Sequence, residues 1–236
     1  MRRQFTLVIV TLARALMTLA RALMTLARAL MTLARALMTL ARALVLGAPA
    51  MTLLLGCSGA PPAPEWQSSA FGALGAFQSA YFAGNARVAD AEFARARRSL
   101  SATGQADLVA RAELIRCALR TASLEFDDCP GYRALEADAA PAERAYAAYL
   151  AGGAPPASAA ADPLGRLVGA GVLLKIGRIT PAAIGAAIEA ASQNGWRRPL
   201  LAWLGVEQKR AEAAGDREAA AHVARRIALV AGSAAP

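Results

Sequence analysis

Histidine occurs once in the 236 residues, at His222. One histidine excludes multi-histidine metal sites, and no Ser, Cys or acidic motif converges on it to make a histidine-dependent triad. Aromatic residues make up only 6% of the chain. Alternating runs of Val, Ile and Thr are missing from its main body, so the period-two signal of a half-buried strand is missing too. There are three cysteines, and no further Cys or His near them to complete a zinc site. The stretch "GAGVLLKIG" holds Gly169 and Gly171 but has no preceding strand and no third glycine, which excludes a dinucleotide loop.

One absence is local. Residues 1–56 contain no acid, against seven arginines (Arg2, Arg3, Arg14, Arg21, Arg28, Arg35 and Arg42). The formal charge of +9 therefore sits in the N-terminal segment. From Cys57 onward 19 basic residues face 17 acidic ones. That is the mixed balance of an ordinary soluble surface, and it removes the argument for a nucleic-acid partner.

What is abundant is alanine, together with Leu, Arg and Glu. These residues lose little side-chain freedom in a helix, so the fold class read from composition is all-α. The extreme case is the unit TLARALM, repeated without change over 11–17, 18–24, 25–31 and 32–38, with TLARALV ending at Val45. Its leucines alternate steps of four and three, which is formally the a/d seam of a coiled coil. A coiled coil that selects partner and register varies its flanking charges; identical units fit recent duplication of a short DNA segment better. Arginine every seventh residue also breaks any apolar run long enough to span a bilayer, which needs about 20 residues.

After Arg42 come fourteen uncharged residues, "ALVLGAPAMTLLLG", and then Cys57. A basic flank, a short apolar core and a small residue at the cut describe a secretory signal peptide. The tetrad Leu54-Leu55-Gly56-Cys57 resembles the lipobox of bacterial lipoproteins. The resemblance implies diacylglyceryl transfer to the Cys57 thiol, cleavage between Gly56 and Cys57, and acylation of the new amino group. Several chains on one cysteine hold a bilayer where a single chain binds only marginally. Ser58 in place of Asp resembles the default for sorting to the outer membrane. The Pro/Gly/Ala-rich stretch 57–64 is a flexible tether. Counted from Met1 the signal spans 56 residues; from Met38 it spans 19 and from Met31 it spans 26. The usual range is 15–30, so initiation at Met31 or Met38 is the expectation.

Proline and glycine punctuation divides the body into helices over 65–83, 86–102, 105–124, 131–139 and 141–151, then 163–178, 181–193, 197–214 and 216–231. The Ala/Pro/Gly stretch 152–162 separates an N-terminal helical half (65–151) from a C-terminal one (163–236). Pro163, Pro181 and Pro199 lie near helix starts, and short connections predict antiparallel neighbours. Tyr81, Gly84, Ala89, Phe93 and Ala96 resemble a tetratricopeptide hairpin, as do Trp203, Leu204, Gly205, the Gly215-Asp216 turn and Ala220. The resemblance implies antiparallel helical hairpins, in a short solenoid if they stack. "RCALRTASLEFDDCPGYRAL" and "GWRRPLLAWLGV" are similar to stretches of uncharacterised Gram-negative envelope lipoproteins, which implies class and location only.

With Cys57 lipidated, Cys117 and Cys129 remain as an even pair in an oxidising compartment. The expectation is a disulfide that ties the third helix to the loop after it; the alternative is two thiols with Cys117 buried in its helix. Glu125, Asp127 and Asp128 are a solvated acidic loop or a weak hard-cation site without EF-hand spacing. Gly165 and Gly169, four apart, mark close helix packing. Trp196, Arg197, Arg198 and Trp203 combine aromatic and guanidinium groups as interface hot spots do; the alternative is a core tryptophan pair with exposed arginines.

No catalytic, cofactor or metal residues emerge. The expectation is a non-enzymatic lipoprotein on the periplasmic face of the outer membrane. It touches the bilayer through Cys57 and binds an envelope protein through its helical body. The alternatives are an envelope enzyme or accessory factor acting on cell-wall or lipid substrates, and a carrier with a cavity between helices.

Overall fold

The structure is a computed structural model that describes residues 30–38, 64–156 and 162–232. It divides into two units, Met1–Pro62 and Ala63–Pro236. In the first, residues 30–38 of the repeat form helix α1. Leu30, Leu33, Leu37, Met31 and Met38 are all more than three-fifths exposed, so among the described residues of this unit the leucines of the seam are uncovered. The rest of the repeat, the lipobox and the tether up to residue 63 lie outside the described residues.

The second unit is all-α. Its helices are α2 (Glu65–Ala83), α3 (Ala86–Ser101), α4 (Ala106–Ala122), α5 (Pro130–Arg133), α6 (Pro141–Leu150), α7 (Pro163–Lys175), α8 (Pro181–Gln193), α9 (Arg197–Ala213) and α10 (Arg217–Gly232). A 3-10 turn, Glu136–Asp138, follows α5.

The boundaries have local causes. The side chains of Asn85, Asp162, Thr180 and Asp216 accept from the N–H three residues on and cap α3, α7, α8 and α10. Pro130, Pro141, Pro163 and Pro181 occupy first helical positions, where a missing N–H leaves no bond unmade. Pro199 sits two residues inside α9. Gly84, at φ +88°, ends α2 in the left-handed region while the Asn85 N–H returns to the Ala80 carbonyl at 2.9 Å. The predicted helix over 131–139 is a correction. One turn of helix stops at Arg133, and Leu135 leaves helical geometry at φ −120°, ψ 5° before the 3-10 turn.

α4 is the central element, and it packs on α2, α3, α5, α6 and α7. Ten of its residues are buried, including Leu114, Cys117 and Leu119. Such all-round burial explains why α4 shows no clean polar face in the sequence. An aromatic chain runs along the α2–α3 hairpin: Phe77 meets Phe93 at 5.1 Å and Phe82 meets Trp196 at 5.0 Å between ring centres. α7 lies close enough to α4 that a Cβ on Gly171 would run into the Thr121 carbonyl. Gly171 is where α7 comes close to α4; a Cβ on Gly169 would come 3.1 Å from the Tyr149 hydroxyl.

Successive helices pack as hairpins: α2 with α3, α7 with α8, α8 with α9 and α9 with α10. Open helical arrays confine contacts to neighbouring repeats. Here α9 also returns to α2, and α7 to α4, so one core joins residues before and after 152–162. Of that stretch, residues 157–161 lie outside the described residues.

Candidate functional site

Each sequence-predicted residue now has a place. Gly56 and Cys57, the cleavage and lipidation pair, lie outside the described residues. Cys117 and Cys129 are joined in a disulfide, with 5.7 Å between their Cα atoms. Cys129 stands at φ +49° and Leu124 at φ +60°, the non-glycine residues in the left-handed region among those described. Each such placement costs on the order of 1 kcal/mol. The crosslink, the Asp127 carboxylate accepting from the Cys129 N–H at 3.0 Å, and the Glu125 N–H on the Arg120 carbonyl at 2.9 Å hold the loop in this form.

The ligand atoms of Cys117, Asp127 and Cys129 come within 4.8 Å of one another. The two sulfurs are bonded to each other and Asp127 pairs with Arg120 at 3.1 Å. As placed, the group is a structural knot.

The quartet Trp196, Arg197, Arg198 and Trp203 faces largely inward. Trp203 is fully buried, and its indole N–H donates to the Ala122 carbonyl at 3.0 Å, tying α9 to the end of α4. Trp196 is half-buried against the core. Arg197 donates to the Val230 and Ala231 carbonyls at the end of α10. Arg198 donates to Glu125 at 2.8 Å, and its guanidinium lies 4.3 Å from the centre of the Tyr81 ring. The Tyr81 hydroxyl donates to the other oxygen of Glu125, also at 2.8 Å. Burial and the Glu125 hydrogen bond both raise the Tyr81 pKa, so this hydroxyl stays protonated. The quartet thus works as an internal staple between α2, the disulfide loop and α9. His222 is exposed on α10.

An apolar groove lies elsewhere. α4, α6 and the start of α7 enclose a half-open groove of about 410 Å³. Its walls include Leu114, Ile115 and Leu119 from α4, Tyr146 from α6 and Leu164 from α7. The volume falls within the range of about 300–1,000 Å³ for ligand pockets, and the lining is mostly apolar, as theirs is.

Polar atoms stand at one side. Glu143, only 5% exposed, accepts from Arg111 at 2.8 Å, and its second oxygen is buried without a hydrogen-bond partner. Glu143 lies in the first turn of α6, where the helix dipole favours a negative charge. The Tyr146 pKa is pushed up to about 12, first by burial and then by Tyr149 and Asp162. The hydroxyl is therefore neutral at physiological pH. Chemically this is an apolar slot with a carboxylate and a guanidinium in its wall.

Sequence reasoning missed this groove. Its walls come from segments spread over residues 111–164, and no local spacing announces that they meet. The Leu114–Leu119 stretch gave a weak signal, because α4 is apolar on more sides than one partner helix can cover. No family model, curated protein or solved structure matches the chain.

Proposed function

We propose that the protein is a lipid-anchored envelope protein on the periplasmic face of the outer membrane. Its helical body serves as a non-catalytic interaction scaffold for an envelope protein. The Leu54-Leu55-Gly56-Cys57 tetrad behind a basic, then apolar, segment supports the anchor. The apolar groove between α4, α6 and α7 supports the scaffold, and it is the observation that carries this reading. Half-open grooves of this kind accept apolar side chains from one face of a partner helix or peptide. The Arg111–Glu143 pair in the groove wall would fix its orientation through polar contacts. Helical hairpins of tetratricopeptide type, as the sequence resembles, are consistent with such a role.

Site-specific photocrosslinking in intact cells tests it. A crosslinker at Ile115, inside the groove, is expected to trap one discrete envelope protein. The same group at exposed Leu229 on α10 is the control. Equal yields of the same products from both positions would contradict the groove as the docking surface.

A second reading, an envelope enzyme or accessory factor acting on cell-wall or lipid substrates, draws on a polar cleft beside the disulfide loop. That cleft holds Asp127, Asp128 and Glu136. Reproducible turnover of a cell-wall or lipid substrate, lost in Asp128→Asn, would favour it.

A further inference from the structure

The polar cleft carries far more charge in its lining than the groove does. It encloses about 290 Å³ between the disulfide loop, α5, the 3-10 turn, α6 and the end of α7. Charges of both signs line it. Asp127, Asp128 and Glu136 bring carboxylates; Arg133, Arg144 and Lys175 bring cations. Internal pairing leaves much of this charge uncommitted. Asp128 meets Arg133 only at 3.7 Å, with both side chains mostly exposed. Arg144 donates to the Ala139 carbonyl and Lys175 to the Leu150 carbonyl at 3.3 Å. Each is therefore held in position by a neutral acceptor while its charge stays available.

Tyr132 is also part of the lining, and it is 3% exposed. Its hydroxyl is buried and has no hydrogen-bond partner. Such a group costs roughly 1–3 kcal/mol unless something satisfies it. Burial raises its pKa, the Glu136 carboxylate raises it further, and Arg144 opposes the rise. Glu136 and Arg144 thus both act on the same neutral hydroxyl, which can donate as well as accept. A cleft lined by both cationic and anionic side chains, with a buried, unpartnered hydroxyl in its wall, matches a ligand that carries both charges a short distance apart.

We propose that this cleft binds a small zwitterion, an α-amino acid or a short peptide with free ends, its carboxylate toward Arg144 and Lys175 and its ammonium toward Glu136 and Asp128, with the Tyr132 hydroxyl completing the contacts. The site stands on the cleft alone and depends neither on the anchor nor on the groove. Its volume lies at the small end of ligand pockets, which suits a ligand of this size.

Isothermal titration calorimetry on the full chain in detergent micelles tests it. The probes are a panel of common α-amino acids and the dipeptide Ala-Ala, alongside alaninamide, which lacks the carboxylate, and N-acetylalanine, which lacks the ammonium. Saturable binding is expected within the zwitterionic set, with loss of either charge weakening it about tenfold or more. Tighter binding of single amino acids or of the dipeptide tells which source the site prefers. Glu136→Gln and Lys175→Gln, each at an exposed position, should weaken the zwitterion by about the same factor while the circular dichroism spectrum is unchanged. Tyr132→Phe should weaken it several-fold. No saturable heat from any zwitterion would overturn the proposal, and so would blocked probes that bind as tightly as their parents.

Discussion

Removing the Cys117–Cys129 crosslink is the sharpest perturbation of the body. The double variant Cys117→Ala/Cys129→Ala is the right form of it, because a single substitution would leave a reactive thiol. The two cysteines are 12 residues apart. On the chain-entropy model, closing a loop of that size lowers the entropy of the unfolded chain by about 10 cal/mol/K, or about 3 kcal/mol at 25 °C. A relief acts the other way. Cys129 and Leu124 occupy the left-handed region, and a loop freed from the crosslink regains about 1 kcal/mol if one of them relaxes. Losing the Cys117 sulfur from a buried site in α4 adds a small cavity cost. The net expectation is a destabilisation of about 2–3 kcal/mol. For a body of this size that is a drop in Tm of roughly 5–10 °C. Urea denaturation of the two proteins, followed by far-ultraviolet circular dichroism, measures it. Adding reductant should bring the parent close to the variant and leave the variant unchanged. A loss below about 0.5 kcal/mol, or a variant that still responds to reductant, would refute the reasoning.

Two further predictions address packing and pH. Gly171→Ala puts a methyl group against the Thr121 backbone and 2.9 Å from its Cγ2. It should destabilise by about 1–3 kcal/mol despite the gain in helix propensity. Gly205→Ala in α9, where nothing lies within 4 Å of the new Cβ, should stabilise by about 0.5–1 kcal/mol; paired urea titrations compare the two. Tyr146 titrates near 10 when unfolded and at about 12 when folded. Its contribution to stability is fully present below pH 10 and is lost as the pH rises through 12. Tyr146→Phe should therefore flatten part of the loss of stability above pH 10, read from urea midpoints at successive pH values.

Helix boundaries were legible wherever punctuation was local. Pro181 at a first helical position, with Asn194-Gly195 after the last turn, places α8 at 181–193, as observed. The segment 131–139 was not legible, because its break at Leu135 is set by how the chain returns from the crosslinked loop. Gly131 is part of that return: a Cβ there would collide with the buried Glu113 carboxylate, which Arg97 and Arg116 hold from two helices. The two cysteines were readable as a disulfide pair from number and compartment, and the fold joins them.

The Trp196–Trp203 segment shows a different limit. Its composition resembles a hot spot, but the same aromatic and guanidinium chemistry works equally well inside one chain. Arg198 finds Glu125 73 residues away, and Glu125 finds Tyr81 across 44. No spacing rule reaches that far. The groove and the cleft were hidden for the same reason, since each draws its walls from several helices that only the packing of α4 brings together.

The anchor is the centre of the account, and the mature N-terminus tests it most directly. Mass spectrometry of the protein purified from membranes is predicted to find Cys57 as the first residue, carrying a diacylglyceryl group on sulfur and an acyl chain on nitrogen, with Cys57→Ser losing both the lipid and the cut. An unmodified Cys57 still preceded by Gly56 would contradict it.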